Sequence, residues 1–384
     1  MATVKLSTAA LAATKGIDPE SRVPRSWAGA GFNWTGVEVT GNKYSGLRLS
    51  PSLQQGPAAV ETAATVADLL REARDCLAAA GDGDGDGDGY GYGDGGGGDD
   101  GDDAIDARVD AEVLLSHATG LPVATQVADA GRRVSAAPAA AFRALVARRA
   151  AGEPVAYLTG RKAFWSLELT VTPAVLIPRP ETELLVETAL AFAAGRRGSR
   201  RFRALELGTG SGAVALALAR ERPDAAITAT DSSAAALQVA RANYRRLRAA
   251  AGDSARPGLG AVEFRLGDWF NALPARSRFD PPSRSRFDLI VCNPPYIAPH
   301  DPHLQRGDLR FEPRAALVSA NHGLADLAKI IASAPPHLNP GGMLLLEHAH
   351  TQATAVRELF SRHHFTVIAT HHDLAGHARV TGGT

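Results

Sequence analysis

The stretch Glu206-Leu207-Gly208-Thr209-Gly210-Ser211-Gly212 closes one short apolar run and leads into a second, Ala213 to Ala219. Glycines at alternate positions between a strand and a helix permit a tight turn and let a ligand approach the backbone. On both sides of that turn the hydrophobic period switches between strand-like and helix-like. A strand at 203–207, a helix at 212–221, a strand at 226–231 and a helix at 233–249 are expected, then strands at 262–266 and 287–292. A helix at 322–334, a strand at 343–347, a helix at 351–362 and strands near 366–371 and 378–382 complete the series. Seven strands alternating with helices predict an α/β fold, a mostly parallel sheet covered on both faces. In such a sheet ligands bind beyond the carboxyl ends of the strands, where the strand order reverses.

Upstream, Ile177-Pro178-Arg179-Pro180 and an acidic first turn start a helix at about 181–194, so the α/β domain is placed at 178–384. Leu167, Leu169 and Val171 alternate with Glu168 and Thr170, and 153–177 read as a β-hairpin linker. Helical spacing recurs in Val66, Leu69, Leu70, Ala73 and Leu77, in Ile105, Val109, Val113, Leu114 and His117, and in Phe142, Leu145, Val146 and Arg149. These predict a small helical domain over 59–152, with His117 on its apolar side. The Gly/Asp tract 81–103 interrupts it and reads as a flexible insert, because glycine maximises chain entropy and the aspartates repel one another. The tract resembles calcium-binding RTX-like sequence, but lacks the apolar position that lets such repeats stack. Residues 1–58 show no sustained period and read as a poorly ordered extension.

A length of 384 residues fits two or three domains, and 45% hydrophobic residues exclude a mostly disordered chain. The 41 Lys+Arg balance 41 Asp+Glu, but the tract 81–103 holds nine Asp and no basic residue; without it 41 bases face 32 acids, a balance of +9. That excess fits a partner bound to RNA or the ribosome, and equally an Arg-rich proteome, since five of the 41 bases are Lys. No apolar run approaches the roughly 20 residues that span a bilayer, and the N-terminus lacks the apolar core of a signal peptide. A cytoplasmic, soluble monomer without membrane association is expected. Two cysteines, Cys76 and Cys292, exclude a disulfide framework or a Cys-based zinc site.

Glycine turns serve NAD, FAD and S-adenosylmethionine alike; the spacing G-x-G-x-G, with Glu206 two residues ahead, leans towards S-adenosylmethionine. Gly208, Thr209, Gly210, Ser211 and Gly212 are the candidate cofactor turn. Asp231 ends the next strand, 23 residues after Gly208, where an acid can accept hydrogen bonds from both ribose hydroxyls or cap the following helix. Asp268 offers an acceptor for an adenine amino group, and Trp269 a face for stacking, though a tryptophan there is usually core. The decisive motif is Asn293-Pro294-Pro295-Tyr296, directly after Phe287-Asp288-Leu289-Ile290-Val291-Cys292. Prolines stiffen the turn and remove N–H donors, leaving carbonyl oxygens free to accept. An amide or amino NH2 has two protons to satisfy. The Asn293 side-chain oxygen and the Pro294 carbonyl can hold one each, and Tyr296 can pack on the planar group. This arrangement suits methylation of a poorly basic nitrogen.

Glu206–Gly212, Asp231, Asp268-Trp269 and Asn293–Tyr296 together resemble the class I S-adenosylmethionine-dependent N-methyltransferases. Further stretches narrow that: Glu153–Gly160, Phe164–Leu167, Leu176–Glu183, Asp301–Leu304 and Gly307–Pro313 resemble the HemK/PrmC family, the release-factor glutamine N5-methyltransferases. The resemblance covers about 62–384, without the Gly/Asp insert, and the turn His372–His377 is atypical of it. It implies a Rossmann-like methyltransferase domain with a seven-stranded sheet and a small N-terminal helical domain. It also implies methylation of the glutamine in the Gly-Gly-Gln motif of class I peptide-chain release factors. By matched position, the Gly208–Gly212 turn, Asp231 and Trp269 would bind the cofactor. Asn293 to Tyr296 would hold the glutamine, with Asn293 also near the cofactor. The helical domain would help to dock the release factor.

Alignment and charge placement suffice for such a reaction, and no strong general base or metal is expected at the turn. His348, His350, His363, His364, His371 and His372 lack a companion acid at ligand spacing and read as surface or capping residues. Cys292 reads as a small packed hydrophobe. Arg179 and Glu181 either line the cofactor pocket or anchor their helix. The rival reading is a nucleic-acid methyltransferase acting on adenine-N6 or guanine-N2, which uses similar turns; no base-recognition domain or dense basic patch with interleaved aromatics supports it, and direct nucleic-acid binding is not expected. A nicotinamide-dependent oxidoreductase leaves Asn293–Tyr296 unexplained, and a silent binding protein has no reason to keep Asn293 and the glycines.

Overall fold

The computed structural model describes residues 63–81, 106–196, 201–251, 258–274 and 286–384. The expected extension at 1–58 and the Gly/Asp tract beyond Gly81 lie outside the described residues. Ala64–Thr384 form one unit.

The helical part contains α1 (Val66–Gly81), α2 (Ala107–Thr119), α3 (Val123–Ala128), α4 (Ala136–Ala150) and α5 (Val155–Thr159). Val66, Leu69, Ala73 and Leu77 of α1 pack with Leu114 and Leu115 of α2 and with Phe142 and Val146 of α4. The buried face of α2 is Ala111, Leu114 and Leu115, whereas Val109 and His117 are exposed. The apolar face expected through Val109 and His117 is therefore rotated. Asp106 fixes the start of α2 by accepting from the Arg108 and Val109 amides, which sets its phase. The hairpin is β1 (Arg161–Phe164) with β2 (Leu167–Thr170), preceded by α5, which the alternating pattern did not announce.

The sheet domain contains α6 (Thr182–Ala194), β3 (Arg203–Leu207), α7 (Ala213–Glu221), β4 (Ala226–Asp231), α8 (Ala234–Ala251), β5 (Ala261–Leu266) and β6 (Phe287–Cys292). It continues with α9 (Arg314–Leu317), α10 (Ala325–Ser333), β7 (Leu338–Glu347), α11 (Ala353–Arg362), β8 (Ala369–His372) and β9 (Ala378–Gly383). The seven strands lie in the order β5-β4-β3-β6-β7-β9-β8. The pairs β5–β4–β3–β6–β7 are parallel, and β9 is antiparallel to both β7 and β8. β6 is buried at every position, as a central strand covered on both faces must be. Leu289 and Val291 face α6 and α7, while Ile290 and Cys292 face α10 and α11. No helix among the described residues is long and apolar enough to cross a membrane.

The chain winds outward from β3 to β5 and then returns to place β6 on the other side of β3. The strand order therefore reverses between β3 and β6, the place in such sheets where ligands bind beyond the carboxyl ends. Register fixes what meets there. Leu207 pairs with Cys292, and Cys292 with Leu346. Gly208, Asn293 and Glu347 are thus the next residues on three adjacent strands.

One side-chain clamp joins the helical part to the sheet domain, and a second holds the strap that enters α6. Arg149 at the end of α4 is 4% exposed, donates to Asp110 on α2 at 2.7 Å, and to Asp308, past the Asn-Pro-Pro-Tyr turn, at 2.9 Å. Glu312 accepts from the Ile177 amide at 2.9 Å and pairs with Arg179 at 2.5 Å, which pins the strap entering α6. Arg179 is thereby an anchor of its segment.

Candidate active site

The glycine turn is held from within. Gly208, Gly210 and Gly212 have φ of +70°, +54° and +88°, a region costly for any residue with a Cβ. Thr209 donates its amide to the Thr230 carbonyl, and Gly212 donates to the Thr209 carbonyl. Glu206 lies beneath, 4% exposed, and its Oε2 accepts from the Thr209 hydroxyl at 2.5 Å and the Ala215 amide at 3.1 Å. The acid ahead of the turn therefore ties the turn to the N-terminus of α7. Burial pushes its carboxyl up to about 8, against those two donors. Asn243 of α8, fully buried, donates to the Ser211 and Thr170 carbonyls and locks the turn to β2.

Asp231 accepts from the Gly210 amide at 2.8 Å through Oδ2 and from the Ser233 amide at 2.8 Å through Oδ1. Ser233, whose hydroxyl accepts from the Ala236 amide, caps α8. The Ser232 amide faces the carboxylate as well. Burial raises the pKa of Asp231. Trp269 has φ +46° and stands over Gly208, where a Cβ would lie 3.4 Å from its ring. A glycine backbone under an indole, with an acid at the end of the neighbouring strand, is a cradle of the composition a nucleoside needs, so these residues fit the expected cofactor. Asp268 is on the surface and accepts from Lys329 Nζ at 2.7 Å.

The proline turn is held from outside. Asn293 Nδ2 donates to the hydroxyl of Thr182, the first residue of α6, at 3.1 Å. That bond fixes the orientation of the carboxamide and leaves Oδ1 as its acceptor. Among the described residues no group donates to the Pro294 carbonyl. Tyr296 is half-buried; its hydroxyl donates to Glu347 Oε1 at 3.3 Å and its carbonyl accepts from Gln352 Nε2 at 2.9 Å. Gly323, at φ +82°, makes room for that carbonyl: a Cβ would lie 2.0 Å from the Tyr296 oxygen. Cys292 packs under the turn, fully buried. His348 is enclosed between the Ala349 carbonyl and the Thr381 hydroxyl, and burial lowers its pKa.

The structure thus places Gly208–Gly212, Asp231, Asp268, Trp269 and Asn293–Tyr296 just beyond the carboxyl ends of β3, β4, β5 and β6, with Asp268 exposed. It also brings there a carboxyl that sequence reasoning missed. Glu347 is 1% exposed and borders the turn, where no strong general base was expected. Burial pushes Glu347 up to about 7, with the Thr182 and Tyr296 hydroxyls pulling it down. The available signal was an acid ending the apolar strand Met343-Leu344-Leu345-Leu346, at the same sheet edge as Asp231.

A sheet of this strand order, with a glycine turn leaving one central strand and a proline-braced carboxamide leaving the next, defines a class I S-adenosylmethionine-dependent methyltransferase. A PrmC N-terminal domain model matches residues 103–160 and a methyltransferase domain model matches 199–375. The release factor glutamine methyltransferase of Burkholderia pseudomallei is 50% identical over 281 residues, covering 73% of this chain and 92% of the relative. The proteins of the same description from Bordetella pertussis (48% over 276 residues, 72% and 94% covered) and Xylella fastidiosa (49% over 279 residues, 72% and 92% covered) are similarly close. The chain belongs to the release factor glutamine methyltransferase family.

Proposed function

We propose that this enzyme methylates the side-chain amide nitrogen of the glutamine in the Gly-Gly-Gln motif of class I peptide-chain release factors, with S-adenosylmethionine as donor. The observation that carries the reading is the anchored carboxamide of Asn293. Thr182 takes its N–H, so its oxygen and the neighbouring Pro294 carbonyl stand as two acceptors on one rigid corner. A primary amide presents two N–H groups and nothing else on nitrogen, which matches that pair.

An amide nitrogen is a poor nucleophile because its lone pair is delocalised into the carbonyl. Bound S-adenosylmethionine supplies a methyl carbon activated by a sulfonium. The residues of the chain supply alignment, which can lower a barrier by roughly 7–11 kcal/mol. Accepting both N–H bonds returns electron density to nitrogen and accommodates the positive charge that develops there. Tyr296 supports the plane of the amide from the side. Gly208–Gly212, Asp231 and Trp269 hold the nucleoside, with Asp231 accepting from ribose hydroxyls and Trp269 offering its face. The helical part, clamped through Arg149 to Asp308, serves as the docking body for the release factor.

Incubation with S-adenosylmethionine and a release factor, followed by mass spectrometry of the Gly-Gly-Gln peptide, tests the assignment. A gain of one CH2 on the glutamine is expected, and none when that glutamine is replaced. Transfer of label to nucleic acid instead would refute it.

A further inference from the structure

Glu312 takes no part in the chemistry just described, yet it is a carboxylate only 4% exposed, in the chain that follows the proline turn. Its Oε2 accepts from the Ile177 amide at 2.9 Å and its Oε1 from Arg179 at 2.5 Å. Taking an ion pair out of water costs much of what the attraction returns, so a buried pair is a poor device for stability alone. What it does fix is direction, because charge-assisted hydrogen bonds hold both oxygens of one carboxylate in a set geometry.

The two donors lie on the strap entering α6, and Glu312 lies just ahead of α9. Both stretches lead back to the proline turn. On one side the strap runs to Thr182, which donates its amide to the Arg179 carbonyl and whose hydroxyl accepts from Asn293 Nδ2 at 3.1 Å. On the other side α9 leads from Glu312 to Leu317, whose carbonyl accepts from the Ile297 amide at 2.9 Å. The Ile297 carbonyl accepts in turn from the Ser319 amide at 2.9 Å, and Ile297 and Val318 form a parallel bridge. Ile297 directly follows Tyr296. The stretches 293–297, 312–317 and 177–182 therefore close into a ring. Its joints are Ile297 with Leu317, Glu312 with Ile177 and Arg179, and Thr182 with Asn293.

The prolines fix the backbone of the turn, but the Asn293 carboxamide can still rotate about its own side-chain bonds. Thr182 stops that rotation only if its place relative to the turn is set. The N-cap residue Glu181 makes no side-chain cap bond, so the first turn of α6 takes its position from the strap. Glu312 ties that strap to the stretch gripped by Ile297. The ring as a whole is held to the helical part, where Asp308 accepts from Arg149 at 2.9 Å.

We propose that Glu312 is a positioning residue for methyl transfer: it closes a hydrogen-bonded ring that holds the Thr182 hydroxyl against the Asn293 carboxamide and so keeps Asn293 Oδ1 aimed at the substrate amide. The inference rests on the reading of Asn293 given under Proposed function.

The test is a double-mutant cycle on the full chain with intact release factor, using Glu312→Gln, Thr182→Val and the pair together. Glu312→Gln keeps an oxygen for the Ile177 amide but turns an NH2 on Arg179, which opens that joint. Thr182→Val opens the joint to Asn293. Each change lowers kcat and kcat/KM together by about 10- to 100-fold, the size of a misplacement made away from the chemistry. KM and the calorimetric affinity for S-adenosylhomocysteine stay within about twofold, the pattern of a loss felt in the transition state. A ring is open once any joint is open, so the double variant falls no further than the worse single one. Independent contacts would instead multiply, to about 100- to 10,000-fold. Arg179→Lys, which keeps a cation beside Glu312 but loses the planar fork, loosens the same joint and decides the matter by the same readings if Glu312→Gln does not fold. Full turnover in Glu312→Gln, multiplying effects, or equal losses in kcat and cofactor affinity overturn the proposal, while an inactive Asn293→Ala leaves the function standing. Normal turnover in Asn293→Ala overturns that function as well.

Discussion

The two turns of the site leave neighbouring parallel strands at matched positions, yet they are rigid for opposite reasons. The turn after β3 is stiffened by what it lacks. Glycines adopt left-handed backbone, its amides go to the Thr209 and Thr230 carbonyls and to Asp231, and Glu206 of β3 takes the Thr209 hydroxyl, with Asn243 of α8 holding the Ser211 carbonyl. The turn after β6 is stiffened by what is brought to it. Two prolines fix its backbone, and its polar groups are held by Thr182, Glu347 and Gln352, from α6, β7 and the segment after β7. A site for a ribose and an adenine needs space and a few acceptors, which a self-contained loop provides. A site that must aim one nitrogen at one carbon needs its acceptor fixed in direction, and that takes support from several elements.

Substitutions break this comparison at different readouts. The largest effect belongs to the proline turn. Asn293→Ala should lower kcat by about 100- to 1000-fold, the range seen on removing one preorganised transition-state contact, with S-adenosylhomocysteine affinity nearly unchanged. A loss shared equally between kcat and cofactor affinity would show that the two turns are not separate devices. Asp231→Ala should do the reverse. Losing hydrogen bonds to a charged group is worth about 1.5–3 kcal/mol, so cofactor affinity measured by calorimetry should fall about 10- to 100-fold. With saturating cofactor most of kcat should return. An unchanged affinity would remove Asp231 from the nucleoside site and leave it only as the acceptor for the Gly210 and Ser233 amides.

The same contrast explains what could be read from the chain. The glycine turn was legible because its determinants are local: the strand before it, the glycines, and an acid at the end of the next strand. The mostly parallel sheet followed from alternation, and β3, β4 and β6 have the expected limits; the strand order was not read from the sequence. Asn293 to Tyr296 were legible as residue types suited to gripping an amide. Their support was not, because Thr182 and Glu347 lie 111 and 54 residues away from Asn293 and 51 from Tyr296, in the combinations 182–293, 293–347 and 296–347. Only the sheet register brings them together. Asn243 was invisible for a like reason, reading as one polar residue on an exposed helix while in fact fully buried between β2 and the glycine turn. The phase of α2 was misread because the apolar spacing through Val109 was followed without regard to Asp106, which caps the helix.

The smallest effect, and the one that sharpens the contrast most, concerns stability. Glu206 and Glu347 are both buried carboxyls raised by burial, to about 8 and about 7 from 4.5. A group whose folded value lies above its unfolded value binds its proton more tightly in the native state. Its contribution is intact below the unfolded value and is lost as pH rises towards the folded one. The native enzyme should therefore lose stability between pH 4.5 and 8, by at most about 1.4 kcal/mol per pH unit for each group. Glu206→Gln keeps a carbonyl to accept from the Ala215 amide and carries no proton to lose. It should flatten the Glu206 share of that slope, seen as a melting temperature that declines by a few degrees less between pH 6 and 8, at roughly 2–4 °C per kcal/mol for a chain of this size. A melting profile in Glu206→Gln as steep as that of the native enzyme would mean that the glycine turn is anchored by an ionised carboxylate, and the account of it as a self-contained neutral device would have to be given up.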